Sequence, residues 1–253
     1  MAVADVPREV SRAAAGSVAG SLPCGLGGWR GGRVPGMIAG RGAAPAAARM
    51  SGSGMARDRD VAAFGERAHD YDVGWRGRMH HQIADRTADL ALTCMPAPKR
   101  ILDVGCGTGY LLSRLAARAP QAEVLAGIDA APAMIEVARA GAADDRLHFL
   151  VGTAERLPWP AASFDLVVST TSFDHWADQQ AGLAECARVL APGGCLVLAD
   201  LFSALLLPTL LAGRRDKART RPRAARLLTA AGLRSPRWHR LYAVIIQAAT
   251  ATK

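Results

Sequence analysis

The chain has 253 residues, 50% of them hydrophobic and 21% charged, with 31 Lys and Arg against 22 Asp and Glu. That length and apolarity suffice for a full core, which excludes a disordered or fibrous chain, and the longest apolar run, Leu201 to Gly213 with Pro208 inside it, is short of the ~18 residues a membrane helix needs. The net charge of +9 is uneven: residues 56–199 carry 14 basic and 18 acidic side chains and residues 200–240 carry ten and two, so whole-chain charge is no argument for nucleic-acid binding.

Residues 1–55 contain 12 Gly and 12 Ala and show no helical or strand period. Such a segment buries too little surface to offset its ordering entropy, and it is expected to be a disordered tail, or upstream sequence ahead of a start at Met37, Met50 or Met55. Arg8 and Arg12 precede Ala13–Leu22, but Gly16 and Gly20 interrupt that stretch, and a secretory core should be more apolar. Cysteines stand at 24, 94, 106, 186 and 195, an odd number without a CxxC pair. They predict reduced, packed thiols in a cytoplasmic protein, with no disulfide framework and no metal site.

From Ala56 strand-like and helix-like segments alternate, the pattern of an α/β fold with a mostly parallel sheet. Residues 56–98 are expected to be a small helical cap carrying Tyr71, Trp75, Arg78, His80 and His81. Arg100–Val104 reads as the first strand, followed by a glycine turn and the helical period of Tyr110, Leu111, Leu112 and Leu115. Val124–Ile128 is the second strand and Pro132–Ala140 a helix. Leu147–Val151 and Asp165–Ser169 are the third and fourth strands. Asp178–Leu190 is a helix by its apolar spacing, and Cys195–Ala199 the fifth strand after the Pro192-Gly193-Gly194 turn. Pro222 suits the first turn of a last helix and Gly232 its stop. Tyr242–Ala249 is a last strand, and the stretch from Arg234 to Tyr242 carries no clear turn signal.

The most informative stretch is Ile101-Leu102-Asp103-Val104-Gly105-Cys106-Gly107-Thr108-Gly109, a strand running into a loop with glycine at every second position and then a helix. Glycines there accept positive φ and let a ligand approach the backbone, while the helix N-terminus offers unpaired N–H groups. Alone the loop is also compatible with a plain tight turn. Asp129 ends the second strand 20 residues after Gly109, where a carboxylate accepts both hydroxyls of a ribose. A dinucleotide fingerprint would place its third glycine at position 110, which is Tyr110. Asp103, at the strand end, would repel a pyrophosphate and suits a ligand carrying an ammonium and a sulfonium charge. That points away from NAD and toward S-adenosylmethionine.

Residues 100–200 resemble the class I S-adenosylmethionine-dependent methyltransferases, in particular the small ones similar to the quinone-biosynthesis C-methyltransferases. Leu102–Gly109 resembles the first motif, and Gly127-Ile128-Asp129 followed by Met134 the ribose motif. Gly152-Thr153-Ala154-Glu155-Arg156-Leu157-Pro158 and Ser163–Ser169 resemble the adenine segment and fourth strand, and Arg188–Gly194 the turn into strand five. More weakly, Phe64 to Asp72 resembles the family's N-terminal cap. The resemblance implies a Rossmann-like three-layer α/β/α sandwich. It also implies S-adenosyl-L-methionine as cofactor, held by Asp103, Gly105, Cys106, Gly107, Gly109, Asp129, Ala130, Met134, Thr153, Ala154, Glu155 and Ser169. The chain departs from the family at Thr153, where Asp or Asn usually meets the adenine amino group; the Thr hydroxyl or Glu155 takes that contact, or Thr153 is a plain strand cap.

After strand four comes Ser172-Phe173-Asp174-His175-Trp176. His175 or Asp174 is the candidate to orient or remove an acceptor proton, with Trp176 as an apolar wall; the alternative is that Asp174 and His175 cap the next helix and Trp176 packs in the core. His80 and His81, on the cap with Trp75, Arg78 and Tyr71, are candidates to line the substrate mouth, but adjacent residues do not share a helix face; the alternative is surface or cap packing. Seven basic residues between Arg214 and Arg226 suit an anionic partner, be it nucleic acid, an acidic substrate or a membrane surface, or else a solvated linker and helix face. The expected partner is a small-molecule methyl acceptor. The rivals are a nucleic-acid methyltransferase, a nicotinamide-dependent oxidoreductase and a non-catalytic cofactor-binding protein. No Asn-Pro-Pro-aromatic motif follows strand four, which disfavours the first.

Overall fold

The structure, a computed structural model, describes residues 61–202, 220–243 and 246–253. They fall in the second of two compact units, Arg49–Lys253. The expectations for the tail 1–55, Cys24, the apolar run after Phe202 and the basic residues 214–219 lie outside the described residues.

Helix α1 is described over 61–67, a 3-10 turn follows at Ala68–Asp70, and α2 runs from Gly74 to Cys94. The core then alternates: β1 Arg100–Val104, α3 Tyr110–Arg118, β2 Val124–Asp129, α4 Pro132–Ala140, β3 Leu147–Val151, β4 Phe164–Thr170. A 3-10 turn Phe173–His175 leads to α5 Gln179–Val189 and β5 Leu190–Leu201, and α6 Arg221–Ala230, β6 Arg234–Tyr242 and β7 Ile246–Thr252 complete the order. The seven strands lie in the order β3-β2-β1-β4-β5-β7-β6; the first five are parallel, and β7 runs antiparallel to both β5 and β6. Central strands are covered on both faces, which is why β1 and β4 read as nearly unbroken apolar runs. On one face Leu112, Leu115 and Ile135 of α3 and α4 pack with Ile83 and Ala88 of α2; on the other, Leu183 and Cys186 of α5 pack with Leu228 of α6. This is the expected three-layer α/β/α sandwich. Chain direction across the sheet reverses between β1 and β4, and in open α/β sheets the crevice at such a switch point is the ligand site.

The differences from expectation have local causes. Helix α5 is capped by Asp178, whose carboxylate accepts from the N–H groups of Gln180 and Ala181 at 2.9 and 3.0 Å, so Asp174 and His175 are not its cap. Arg234–Tyr242 is a full strand, hidden because bulges break its alternation between Arg234 and Arg237 and again between Arg240 and Tyr242. Tyr242 therefore ends β6 and the last strand begins at Ile246; Ala243, at φ 48°, makes the turn without a glycine to announce it.

The expectation of reduced thiols is corrected for two of the cysteines. Cys94, the last residue of α2, and Cys195 of β5 form a disulfide with Cα atoms 6.5 Å apart. They are 101 residues apart in sequence, and only the packing of α2 across β5 brings them together. Cys106 and Cys186 are free and buried.

Candidate active site

The glycine loop is set by what lies behind it. Gly105 has φ 77°, and a Cβ there would lie 2.1 Å from Ser172 Oγ. Ser172 fills that space because it is a hub: its hydroxyl donates to Val104 O at 2.9 Å, accepts from Trp176 Nε1 at 3.2 Å and lies 3.0 Å from Ser169 Oγ. Gly109, also left-handed, opens α3 with its backbone against the ring of Phe149. At Gly107 a Cβ would meet nothing within 4 Å, because that residue faces open space. Its N–H donates to Asp129 Oδ2 at 2.9 Å, while Asp129 Oδ1 accepts from Ala131 N–H at 2.9 Å. Asp129 thus braces the loop from the tip of β2. Burial pushes its carboxyl up, and the N–H groups of Ala131, Gly107 and Ala130, with His175, work against that.

These tips border a cleft that opens to solvent. Gly105, Gly107, Asp129, Ala130 and Met134 line one side of it and Thr153, Ala154 and Glu155 another. Glu155 also accepts from Asp178 N–H at 3.1 Å, which joins the β3 tip to the start of α5. His175 lines the cleft with Trp176, whose indole is 6% exposed and belongs both to the wall and to the core. Asp174 is not among the lining residues; its N–H donates to Asp200 Oδ2 at 3.1 Å. Ser169 is fully buried beneath Ser172, and the Cys106 side chain lies in the core, its thiol pushed far up by burial, with Asp103 and Asp129 adding to it.

Asp103 is 2% exposed, and its Oδ1 has no hydrogen-bond partner. Burial first, and then the charge of Asp129, pushes its carboxyl up to about 8. A buried acid that nothing among the described residues neutralises, lying below a loop open at Gly107, fits a ligand that brings a cation. The residues present therefore suit S-adenosylmethionine: an ammonium over Asp103, a ribose at Asp129 and a base toward Thr153–Glu155.

Four residues contribute to the site beyond those expected there, Tyr71 among them having been expected only on the cap. Tyr71 lines the cleft from the cap, where burial, Asp72 and Asp129 push its phenol up to about 12 against a hydrogen bond with Thr171. Thr171 holds φ 52°, a strained setting for a β-branched residue and a mark of a site that constrains its backbone. Thr170 lines the cleft just before it. Asp200, 3% exposed at the tip of β5, accepts from Asp174 N–H and so fixes the turn that carries His175; burial, and more weakly Asp174, pushes its carboxyl up to about 6. None of the four has a spacing signal, since each acts on a partner from another strand tip or from the cap. His80 and His81 serve the cap itself. His81 Nε2 lies 2.8 Å from Asp72 Oδ1, its ring stacks on Tyr110 at 3.8 Å, and His80 lies beside the Tyr71 ring at 5.0 Å. Among the described residues no cluster of His, Cys, Asp and Glu is arranged to hold a metal ion, and no helix is long and apolar enough to cross a membrane.

Residues 102–198 match the family described as a methyltransferase domain. Over those residues the core of this chain is similar to that domain. Demethylmenaquinone methyltransferase of Deinococcus radiodurans is 46% identical over 131 residues, 51% of this chain and 50% of that protein. Malonyl-[acyl-carrier protein] O-methyltransferase of Geobacter sulfurreducens is 37% identical over 166 residues, 65% of this chain and 60% of that protein. The chain spans about half the length of the first of these relatives. Among solved structures, a chain from the Haloferax volcanii complex between the Trm112 methyltransferase activator and a methyltransferase superposes with a TM-score of 0.64. It is 25% identical, and the match covers 75% of this chain and 96% of that one. The domain match spans the glycine loop, Asp129, the 153–155 segment and the His175 turn.

Proposed function

We propose that the chain is an S-adenosylmethionine-dependent methyltransferase acting on a small, uncharged organic molecule. The observation that carries this reading is Asp103, a buried carboxylate with an unpartnered oxygen under the glycine loop of a matched methyltransferase domain. When bound, the cofactor supplies an activated methyl for in-line displacement. Asp129 orients the ribose and holds the loop, Asp103 takes the ammonium, and Thr153, Ala154 and Glu155 border the adenine. Gly105, Gly107, Ala130 and Met134 shape the cradle. Alignment of acceptor and methyl is the main catalytic contribution of such a site.

His175 stands at the acceptor side, its ring edge-on to Phe64 with centroids 5.0 Å apart. There it orients the acceptor and accepts its proton, with Asp174 and Asp200 fixing the turn on which it is carried. The described residues lining the cleft include Val61, Phe64, Tyr71, Met134 and Trp176 and no Lys or Arg, which favours an uncharged acceptor with apolar or ring surface over a free carboxylate. Of the two named relatives, the one acting on demethylmenaquinone fits that chamber better than the one acting on malonyl-[acyl-carrier protein].

The test is calorimetric titration of S-adenosylmethionine and S-adenosylhomocysteine into the full chain, with Asp129→Ala and His175→Ala beside it. Micromolar binding that is lost in Asp129→Ala and kept in His175→Ala is the expected result. A folded wild-type chain that binds neither ligand overturns the proposal, and binding of NADH in their place would support the oxidoreductase reading.

A further inference from the structure

Among the described residues three large apolar side chains stand out in water: Val73 and Trp75, 65% and 63% exposed, and Val151, 50% exposed. They are not scattered. Val73 and Trp75 follow the cleft-lining Tyr71 by two and four residues, and Val151 ends β3 immediately before the cleft-lining Gly152. The exposed apolar surface therefore borders the cleft, where such surface marks an interaction site.

The start of α2 also breaks the local rules for a helix that begins in water. Ser, Thr, Asp or Asn is favoured at the N-cap and acids in the first turn, because they satisfy or complement the free N–H groups. Here the N-cap is Val73, no side chain caps the helix, and the first turn holds no acid. Arg76 and Arg78 stand among its first five residues instead, both exposed and both opposed by the helix dipole. Asp72, beside the cap position, is turned to His81 Nε2 at 2.8 Å. The other exposed acids nearby, Glu66 and Asp70, precede the segment on α1 and the 3-10 turn. Local rules broken together mark a place where something other than stability sets the residues.

The backbone of this segment is firmly held. Val73 N–H donates to Asp70 O at 3.1 Å and Gly77 N–H to Val73 O at 3.3 Å, and Gly77 leaves room for the Asp72 carbonyl, which a Cβ would meet at 2.2 Å. Docking it would order little additional chain. An indole has an apolar body and a polar N–H, which suits it to the boundary between lipid chains and headgroups, and a guanidinium meets phosphate there. The Arg76 guanidinium lies 5.4 Å from the centre of the Trp75 ring, so indole and cation are presented together. Neither Trp75 nor Arg78 lines the cleft.

We infer that Val73, Trp75, Arg76 and Arg78 form a docking surface for an anionic lipid bilayer, which seats the mouth of the cleft against the headgroups. An apolar acceptor then passes from lipid to cleft without crossing water. That last step rests on the methyltransferase reading; the docking does not.

The test is flotation of the full chain with vesicles of phosphatidylcholine and phosphatidylglycerol in a roughly 7:3 ratio. Three variants run beside it: Trp75→Ala, the pair Arg76→Gln with Arg78→Gln, and the pair Arg234→Gln with Arg237→Gln, which removes equal charge from the exposed edge strand β6. Trp75→Ala should lower the partition coefficient about tenfold, the order expected when a mostly exposed indole leaves water. The Arg76 and Arg78 pair should lower it about tenfold as well, and the β6 pair should stay within about twofold of wild type. The Tm of Trp75→Ala should be unchanged or raised. A folded wild type that does not float, or that floats no better than Trp75→Ala, overturns the inference. So does a larger loss in the β6 pair than in the Arg76 and Arg78 pair, which would place the contact at the edge of the sheet. A lowered Tm in Trp75→Ala would show that the chain itself covers the indole, and a wild-type dimer that Trp75→Ala abolishes would show that a second copy does; either overturns it. S-adenosylhomocysteine is titrated into the same proteins and should bind wild type and Trp75→Ala alike. A wild type that floats as expected and binds none of it overturns the methyltransferase reading alone.

Discussion

Replacing Asp103 with Asn keeps the size of the side chain and removes a titratable group from beneath the glycine loop. In the folded chain burial, then Asp129, pushes this carboxyl up to about 8, whereas an unfolded aspartate titrates near ~3.9. Between those values the folded state holds a proton that the unfolded chain has released. Stability is therefore fully present below about pH 4, falls as pH rises through that window, and reaches its lower plateau above about pH 8. At about 1.4 kcal/mol per unit, four units set a ceiling of roughly 6 kcal/mol; relaxation and water entry reduce such penalties, which leaves about 2–4 kcal/mol. Asp200, pushed up to about 6, titrates in the same direction over a lower window and is common to both proteins, so it cancels in their difference. The assay is the Tm of the ligand-free full chain and of Asp103→Asn from pH 5 to pH 9. The wild type should lose about 5–12 °C more than the variant across that range, and the variant should bind S-adenosylhomocysteine at least about tenfold more weakly. Parallel Tm–pH curves would mean that the Asp103 carboxyl is ionised in the folded chain without penalty, and the argument for a cation site under the loop would fall with it.

Gly105→Ala puts a Cβ 2.1 Å from Ser172 Oγ at φ 77°, and should lower the unfolding free energy by about 2–4 kcal/mol while abolishing S-adenosylhomocysteine binding; a urea midpoint equal to wild type would show that the loop does not close against Ser172. Cys94→Ser opens a disulfide that spans 101 residues. A non-reducing melt should fall by about 5–15 °C, matching the effect of dithiothreitol on wild type, and alkylation of all thiols in the unreduced, denatured wild type would refute the bond.

What the sequence showed and what it hid divide along a physical line. The glycine loop was readable because its constraint is local: positive φ at Gly105, Gly107 and Gly109 favours glycine over other residues. Asp129 was readable from its distance to that loop along a strand–turn–helix unit whose length is fixed by the fold. Two features were not, because each depends on where crossovers bring chain segments that no short spacing connects: Cys94 on Cys195, and Asp174 on Asp200. The same line passes through the cleft. Its cofactor side is assembled from strand tips and turns within the domain match, so one set of backbone rules describes it. On the proposed function, its acceptor side is made where Phe64 of the cap meets His175 after β4, ring on ring at 84°, with Tyr71 reaching Thr171 alongside. If that reading holds, the meeting of cap and turn sets the acceptor's size and chemistry, so substitutions at Phe64 and Tyr71 should change which acceptor is methylated, whereas those at Asp103 and Asp129 should decide whether any cofactor is held.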